Sequence, residues 1–443
     1  MDNKASEAQE KLRQQYDNFP YPNIPLEETP TNDYALLFFN NFCTSYYLRY
    51  QKIIKKEDSI ILDAGCGSGY KSLVLAEANP GAKIIGIDIS EESVKLARQR
   101  LQYHGFENVN FYVMPLEDLP ALGMKFDYIN IDEVLYLLPD PLKGLRSIKS
   151  VLKPEGIIRA NLHSSMQRLF YFRAQETFKM MGLMDTPPGE LEAEVVREMM
   201  IALKDQVSLK METWNNPAEK TTGWILVNPL LQSDKGYTIP EMFSILKTAG
   251  LEFISMVNWR HWELIDLFKE PDNLPVFLGI NLPELSIEER LHLFELLHPI
   301  HRLLDFWCGH PNQAEPVIPV GEWTLLDWRR AQVSLHPQLR TPQVREDLME
   351  CIAKQRPFEI SRYLPVTTTS PIIIESTMAA CLLPLWEQIQ SVTVTSLVER
   401  WLKIRSFHPV SLEPVEEKAA FDEVKKLLSN LEVFLYVLLE QPT

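Results

Sequence analysis

Residues Ile60–Ser90 read IILDAGCGSGYKSLVLAEANPGAKIIGIDIS. The apolar run Ile60, Ile61, Leu62 ends at Asp63 and gives way to a glycine-dense turn, Gly65-Cys66-Gly67-Ser68-Gly69. Leu73, Val74, Ala76 and Ala78 then recur at helical spacing until Pro80-Gly81, and a second apolar run, Ile84 to Ile87, ends at Asp88. This order predicts strand, tight turn, helix, strand: one βαβ unit with two parallel, buried strands. Ligands of open α/β sheets bind outside the carboxyl ends of the strands, where both acids and all three glycines fall. Glycine lets a ligand approach the backbone, and the first amides of the following helix can hold an anionic group. Asp88 stands where a carboxylate accepts hydrogen bonds from ribose hydroxyls in nucleotide-binding units.

The glycine spacing is G-x-G-x-G with an acid two residues earlier, whereas the dinucleotide fingerprint is G-x-G-x-x-G. Asp63 directs negative charge at the turn, which suits a cationic or amino-bearing ligand better than a pyrophosphate. LDAGCGSG followed by GIDIS resembles motif I and the next strand end of class I S-adenosylmethionine-dependent methyltransferases. The resemblance implies a Rossmann-like α/β core with S-adenosylmethionine as cofactor. Asp63, Gly65, Gly67 and Gly69 would then cradle its methionine part, with Asp88 and Ile89 at the ribose.

Later segments carry the resemblance further. Val109 to Val113 reads as a third strand, which the family follows with G-D-A-x-x-L-P, whose Asp contacts the adenine amino group. Residues 114–120 read MPLEDLP, so Pro115 takes that position. The adenine contact then falls to the Leu116 backbone, Glu117 or Asp118. A fourth strand, Phe126 to Asp132, with the EVLYLLPDP that follows, is similar to the family's FDxVxxxxVLHHLxDP, with Tyr136 and Leu137 replacing the paired histidines. Ile131, near that strand's end, is implied as a cofactor contact. LKPEG at 152–156 is similar to the family's LKPGG turn, and a fifth strand, Ile157 to Leu162, ends at His163.

Residues 16–30, YDNFPYPNIPLEETP, form a proline-stiffened aromatic arm. It reads either as a strap over the domain or as a lid with Tyr16 or Tyr21 closing the site. YDxxPY resembles the arm of some two-domain bacterial methyltransferases, including ones that modify protein lysines. Residues 34–54 carry helical spacing and are expected as one helix before the first strand. Residues 165–233 read as a helical insertion shaping the pocket, before a last helix and strand near 237–254. Beyond residue 260 the core pattern stops, and helical periodicities at 284–307, 343–355, 378–389, 397–404 and 420–438 predict a mostly helical domain. The expected organisation is therefore 1–55, arm and cap helix; 56–258, methyltransferase core with the insertion 165–233; and 259–443, helical accessory domain.

A net charge of −16 and a pI near 5.2 argue against general nucleic-acid binding. The polar opening MDNKASEAQEKLRQQ lacks the apolar core of a secretory signal, and no apolar run is long enough to span a bilayer. Cys43, Cys66, Cys308, Cys351 and Cys381 form no C-x-x-C pair and read as reduced thiols of a cytoplasmic protein. The expected partner is a protein or small-molecule methyl acceptor, with no nucleic acid and no membrane; a homodimer through the C-terminal domain stays open. His261, His292, His298, His301 and His310 cluster in sequence but match no metal signature, and no metal is expected.

Methyl transfer from a sulfonium is a direct displacement, so the protein works chiefly by alignment and exclusion of water. His163, Tyr136 and Tyr16 are the catalytic candidates. His163 would be the base for a hydroxyl acceptor, or merely cap a backbone group at the strand end. Two other readings compete: a non-catalytic S-adenosylmethionine-binding regulator recruiting a partner through its C-terminal domain, and an NAD-dependent oxidoreductase, disfavoured by the glycine spacing and Asp63.

Overall fold

The computed structural model describes residues 2–54, 58–315, 317–366, 370–387, 391–408 and 410–441. Strands β1 (Ile60–Ala64), β2 (Lys83–Asp88), β3 (Val109–Val113), β4 (Phe126–Ile131), β5 (Leu152–Ser164), β6 (Gly236–Tyr237), β7 (Glu252–Met256) and β8 (Leu303–Gly309) form one sheet. Its order is β3-β2-β1-β4-β5-β8-β7, with β6 on β5. β3, β2, β1, β4 and β5 run parallel, while β8 is antiparallel to both neighbours. The strand order reverses between β1 and β4, which opens a crevice at their carboxyl ends. The apolar runs of β1 and β2 are buried on both faces, as a parallel sheet covered by helices requires.

Local sequence sets the crossover helices. Glu91–Tyr103 starts where the Ser90 hydroxyl accepts the Ser93 N–H at 3.1 Å, with Glu91 and Glu92 in its first turn. Ile239–Ala249 opens on a Thr238–Glu241 capping box and stops at Gly250, whose φ is +67°.

The core reaches further along the chain than expected. The helix predicted over 284–307 is the helix Ile287–Leu297 followed by β8, which inserts between β5 and β7. A short apolar run buried on both faces has no periodicity that separates strand from helix. Asp305 sits inside this strand because Arg159 of β5 meets it with two nitrogens, at 2.7 and 3.1 Å, and the Trp307 indole N–H donates to the Tyr128 hydroxyl at 3.2 Å.

Contacts divide the chain into two units, 1–29 with 58–76 and 81–311, and 30–57 with 77–80 and 312–443. The core boundary therefore falls at 311 rather than 258, and residues 30–57 group with the C-terminal part rather than with the arm. Within the first unit the 165–233 segment forms the helices Leu169–Met180, Glu190–Ala202, Ser208–Thr213 and Thr222–Leu226. They enclose a core of their own, including Phe178, Val196, Trp214 and Ile225.

In the second unit the expected single helix over 34–54 is two, Tyr34–Phe39 and Phe42–Tyr50. The Asn41 side chain accepts the Cys43 N–H at 3.0 Å and restarts the helix. This unit is helical with a small antiparallel sheet that periodicity does not reveal: β9 (Gln332–Leu335) lies between β12 (Val392–Thr393) and β13 (Val437–Glu440), and β10 (Phe358–Glu359) pairs with β11 (Ile373–Ile374). The apolar stripe of 420–438 is the helix Glu417–Glu432 and then β13, with Leu435 at φ +56° between them. The expected helix over 378–389 is two, Ser376–Leu382 and Pro384–Glu387; Ile389 lies outside the described residues. Among the described residues no helix is long and apolar enough to cross a membrane.

Replacing Arg159 by Leu strands the Asp305 carboxylate inside the sheet. Chemical denaturation should show a loss of about 3 kcal/mol, most of it recovered when Asp305→Leu is added. Equal losses in the single and double variants would exclude this account.

Candidate functional site

A cavity of about 440 Å³ opens at the carboxyl ends of β1, β2 and β4, within the size range of ligand pockets. Its floor is the glycine turn. The Gly65 and Cys66 N–H groups both donate to the Ile87 carbonyl, at 2.8 and 2.9 Å, which pins the turn to β2. Gly65, Gly67 and Gly69 have φ of +87°, +50° and +84°, a region that side chains disfavour. A Cβ on Gly67 would stand 2.1 Å from the Tyr21 carbonyl oxygen, and one on Gly69 2.5 Å from the Ala97 Cα.

The arm explains that closeness. The Ser68 N–H donates to the Tyr21 carbonyl at 2.9 Å and its hydroxyl to the Pro22 carbonyl at 2.7 Å. The Arg100 guanidinium ties down the Ile24 and Pro25 carbonyls, each at 2.7 Å, and the Ser68 carbonyl at 3.1 Å. The arm is a strap across the turn, and its Tyr16 and Tyr21 also wall the cavity.

Four acids crowd this end of the sheet. Asp63 accepts the Ser72 hydroxyl at 2.6 Å and the Asn130 amide at 2.9 Å, and burial lifts its carboxyl to about 6. Burial also raises Asp88, against the Ser90 and Gly67 N–H groups that donate to it, each at 2.9 Å. Burial pushes Asp132 the same way, but Lys71 at 2.6 Å, Arg159 and the Asn161 amide more than offset it and hold the carboxyl below the usual range. Glu133 has φ +59°, a strained conformation for a side-chain-bearing residue. Its N–H donates to Asn161 Oδ1 at 2.9 Å, and its carboxylate takes both arms of Arg302 and the Tyr136 hydroxyl, the latter at 2.7 Å. Burial opposes ionisation there, yet Arg302 keeps the Glu133 carboxyl below its ordinary value.

Of the residues singled out from sequence, Tyr16, Asp63, Gly65, Gly67, Asp88, Ile89, Leu116 and Glu117 line the cavity. Gly69 packs under the turn instead. Ile131 is fully buried in the sheet core, because its side chain points off the strand into the hydrophobic layer; Asp132 and Glu133, just beyond it, reach the cavity.

Tyr136 and His163 stack on each other with ring centroids 3.6 Å apart, behind the cavity wall. His163 is fully buried, with Nδ1 2.6 Å from Asp234 Oδ1 and Nε2 3.1 Å from Arg302 Nη1. A guanidinium only donates, so Nε2 accepts and Nδ1 carries the proton given to Asp234. Burial, with Arg168 and Arg302 near, outweighs Asp234 and pulls the imidazole down to about 4. With both nitrogens committed, His163 is not placed as the base expected of it. Asp234 is held in turn by Arg168 at 2.9 Å and Gln175 at 2.8 Å.

Lys71, Asp132, Glu133, Asn161, Asp234 and Arg302 escaped the sequence reading. Asp132 and Glu133 end β4 as Asp63 and Asp88 end β1 and β2, and that strand-end signal could have found them. Nothing in the sequence marks Arg302.

The Asp63 carboxyl carries a pH signature. Its folded value near 6 exceeds the 3.8 of an unfolded chain, so the folded state binds the extra proton between those values and loses stability as pH rises through them. Asp63→Asn removes that slope. Urea denaturation should show the variant gaining on the wild type by on the order of 3 kcal/mol between pH 4 and pH 7; a pH-independent difference would refute it.

A family model described as "Methyltransferase domain" matches residues 55–220. An uncharacterized protein of Synechococcus sp. is 28% identical over 302 residues, 66% of this chain and 70% of its own. A ubiquinone biosynthesis O-methyltransferase of Actinobacillus pleuropneumoniae is 28% identical over 206 residues, 45% of this chain and 78% of its own. Among solved structures, PKMT2 from Rickettsia typhi in complex with AdoHcy has the same fold, with a TM-score of 0.58 at 16% identity, over 96% of this chain and 78% of that one. A parallel sheet reversing at β1 and β4, with a β8 antiparallel to its neighbours and a glycine turn between strand-end acids, thus meets a matching family model: residues 55–220 are a methyltransferase domain, on the fold of class I S-adenosylmethionine-dependent methyltransferases.

Proposed function

We propose that the enzyme methylates an amine. The cofactor supplies a methyl group already activated on a sulfonium. The glycine turn, Asp63 and Lys71 would hold its amino-acid end, Asp88 and Ile89 its ribose, and Leu116 and Glu117 its adenine. The cradle suits it: bare backbone at Gly65 and Gly67, a carboxylate for a diol at Asp88, and acids facing a cation.

The observation that carries the amine reading is the pairing of a held carboxylate with an occupied imidazole. A hydroxyl acceptor needs a base near neutrality. His163 is neutral but has no free nitrogen, and Arg302 holds Glu133 charged and weakly basic. An amine has different needs. Asp63, Asp88, Glu117, Asp132, Glu133 and Asp140 line the cavity against Lys71 and Lys143, a balance that draws in an ammonium. Glu133 can pair with it and the faces of Tyr16 and Tyr21 can flank it. The ammonium then gives up its proton to water and presents a lone pair in line with the methyl carbon. His163 acts one step back, as a positioning residue that steadies Arg302 against Glu133.

A hydroxyl acceptor is the second reading, favoured by the ubiquinone biosynthesis O-methyltransferases among the relatives. Deuteromethyl transfer followed by mass spectrometry, on lysine-containing peptides and on catechol, separates the two. Amine products are expected, and catechol as the sole acceptor would overturn the proposal. Cofactor binding without transfer to either would leave a non-catalytic regulator. Glu133→Gln should lower kcat/KM for the amine at least tenfold while S-adenosylhomocysteine binding stays within twofold; Asp88→Ala should abolish that binding in calorimetry.

A further inference from the structure

His163 lies near the end of β5, past the point where β4 stops. The β4 pairing runs no further than Ile131 opposite Ala160, and β6 then takes that side of β5, with Gly236 opposite His163. On the other side β8 pairs with β5 as far as Leu303 opposite His163. One register thus brings two segments to the same imidazole. Asp234 stands two residues before Gly236, and Arg302 one residue before Leu303. Gly236 allows the close approach, since a Cβ there would stand 2.6 Å from the Phe172 ring and 2.7 Å from the Ser165 Cα.

The Asp234 side chain has no solvent exposure, and its two oxygens do different work. Oδ1 accepts from His163 Nδ1 at 2.6 Å, while Oδ2 takes two donors, Arg168 Nη2 at 2.9 Å and Gln175 Nε2 at 2.8 Å. Burial opposes ionisation, but His163, Arg168 and Gln175 together hold this carboxyl down to about 2. An ionised carboxylate accepts and cannot donate, so the imidazole proton stays on Nδ1. The Nε2 lone pair is then free for Arg302 Nη1 at 3.1 Å, the same nitrogen that donates to Glu133 at 3.1 Å. A proton on Nε2 would set two donors face to face and turn the guanidinium away from the ring.

We propose that Asp234 is a positioning residue for methyl transfer: by keeping the His163 proton on Nδ1, it keeps Arg302 seated against Glu133, the carboxylate that meets the acceptor. This rests on the amine reading and extends it to the loop that follows the insertion. Asp234 is not among the residues lining the cavity and acts only through His163 and Arg302.

Asp234→Asn tests this on the full chain. The new amide must keep its oxygen where Arg168 and Gln175 both donate, so its NH2 faces His163 Nδ1 and the ring proton moves to Nε2. Imidazole 15N spectra of the S-adenosylhomocysteine complex should show a protonated Nδ1 and a bare Nε2 in the wild type, and the reverse in the variant. The variant's kcat/KM for a lysine peptide should fall at least tenfold while S-adenosylhomocysteine affinity stays within twofold. Added to Glu133→Gln, Asp234→Asn should cost less than a further twofold, because both changes act on one carboxylate. A wild type protonated on Nε2, or a variant still protonated on Nδ1, overturns the proposal. So does a reversed tautomer with unchanged turnover, or losses that multiply in the double variant, the mark of a purely structural role. Should Asp234→Asn fail to fold with Arg168 left charged, adding Arg168→Met removes that charge and Gln175 still orients the amide. Methylation of catechol and not of the peptide would count against the amine reading alone; the same double-variant cycle run on catechol then judges Asp234. The tautomer spectra need no acceptor, so a reversed proton supports the proposal and an unmoved one overturns it even without turnover.

Discussion

The Ile87 carbonyl, by accepting the N–H groups of both Gly65 and Cys66, pins the glycine turn to β2 at the floor of the crevice. Much else hangs on that bend. Because the turn is fixed and Gly67 carries no side chain, the Tyr21 carbonyl can settle on the Ser68 N–H, and the arm can lie across the turn instead of standing off it. The arm then divides the space above the sheet into two cavities with a shared tyrosine wall. A single methyl on Gly67 would oppose the turn's φ and the arm's seat together.

A second constraint is electrostatic. Glu133, Arg302, His163, Asp234 and Arg168 form a line of alternating partners from the cavity edge into the insertion. Buried charges survive only when paired, and each member here satisfies the next. The neutral imidazole in the middle lets one guanidinium hold Glu133 and another hold Asp234 without two cations meeting. The strain at Glu133 persists because its N–H, its carboxylate and the ring of Tyr136 are all fixed by neighbours on other strands. The insertion is thus coupled to Glu133 through the hydrogen bonds that run from Asn228 and Asp234 by way of Arg168, His163 and Arg302.

The candidate site was legible in part. Asp63, Gly65, Gly67, Asp88, Ile89, Leu116 and Glu117 follow from short segments at strand ends, where local pattern and the rule for open α/β sheets coincide, and all line the cavity. His163 was legible as a residue at that edge but not in its role, because its partners Asp234 and Arg302 come from segments 71 and 139 residues away. Strand β8 was missed for a related reason: Leu303–Gly309 is a strand through pairing with β5 and β7, and its one charged residue is tolerated through Arg159.

By itself the chain's order of residues determined the βαβ unit, the strand-end acids, the insertion and the apolar helices, since each is written in periodicity, glycine placement or capping within a few residues. Tertiary structure decided the rest. It inserted β8 into the sheet, grouped residues 30–57 with the C-terminal unit, and committed both ring nitrogens of His163 to Asp234 and Arg302. The physical reason is range: turns and helices answer to neighbours in sequence, whereas buried charge pairs, edge strands and shared cavity walls are settled by which distant groups meet once water has been excluded.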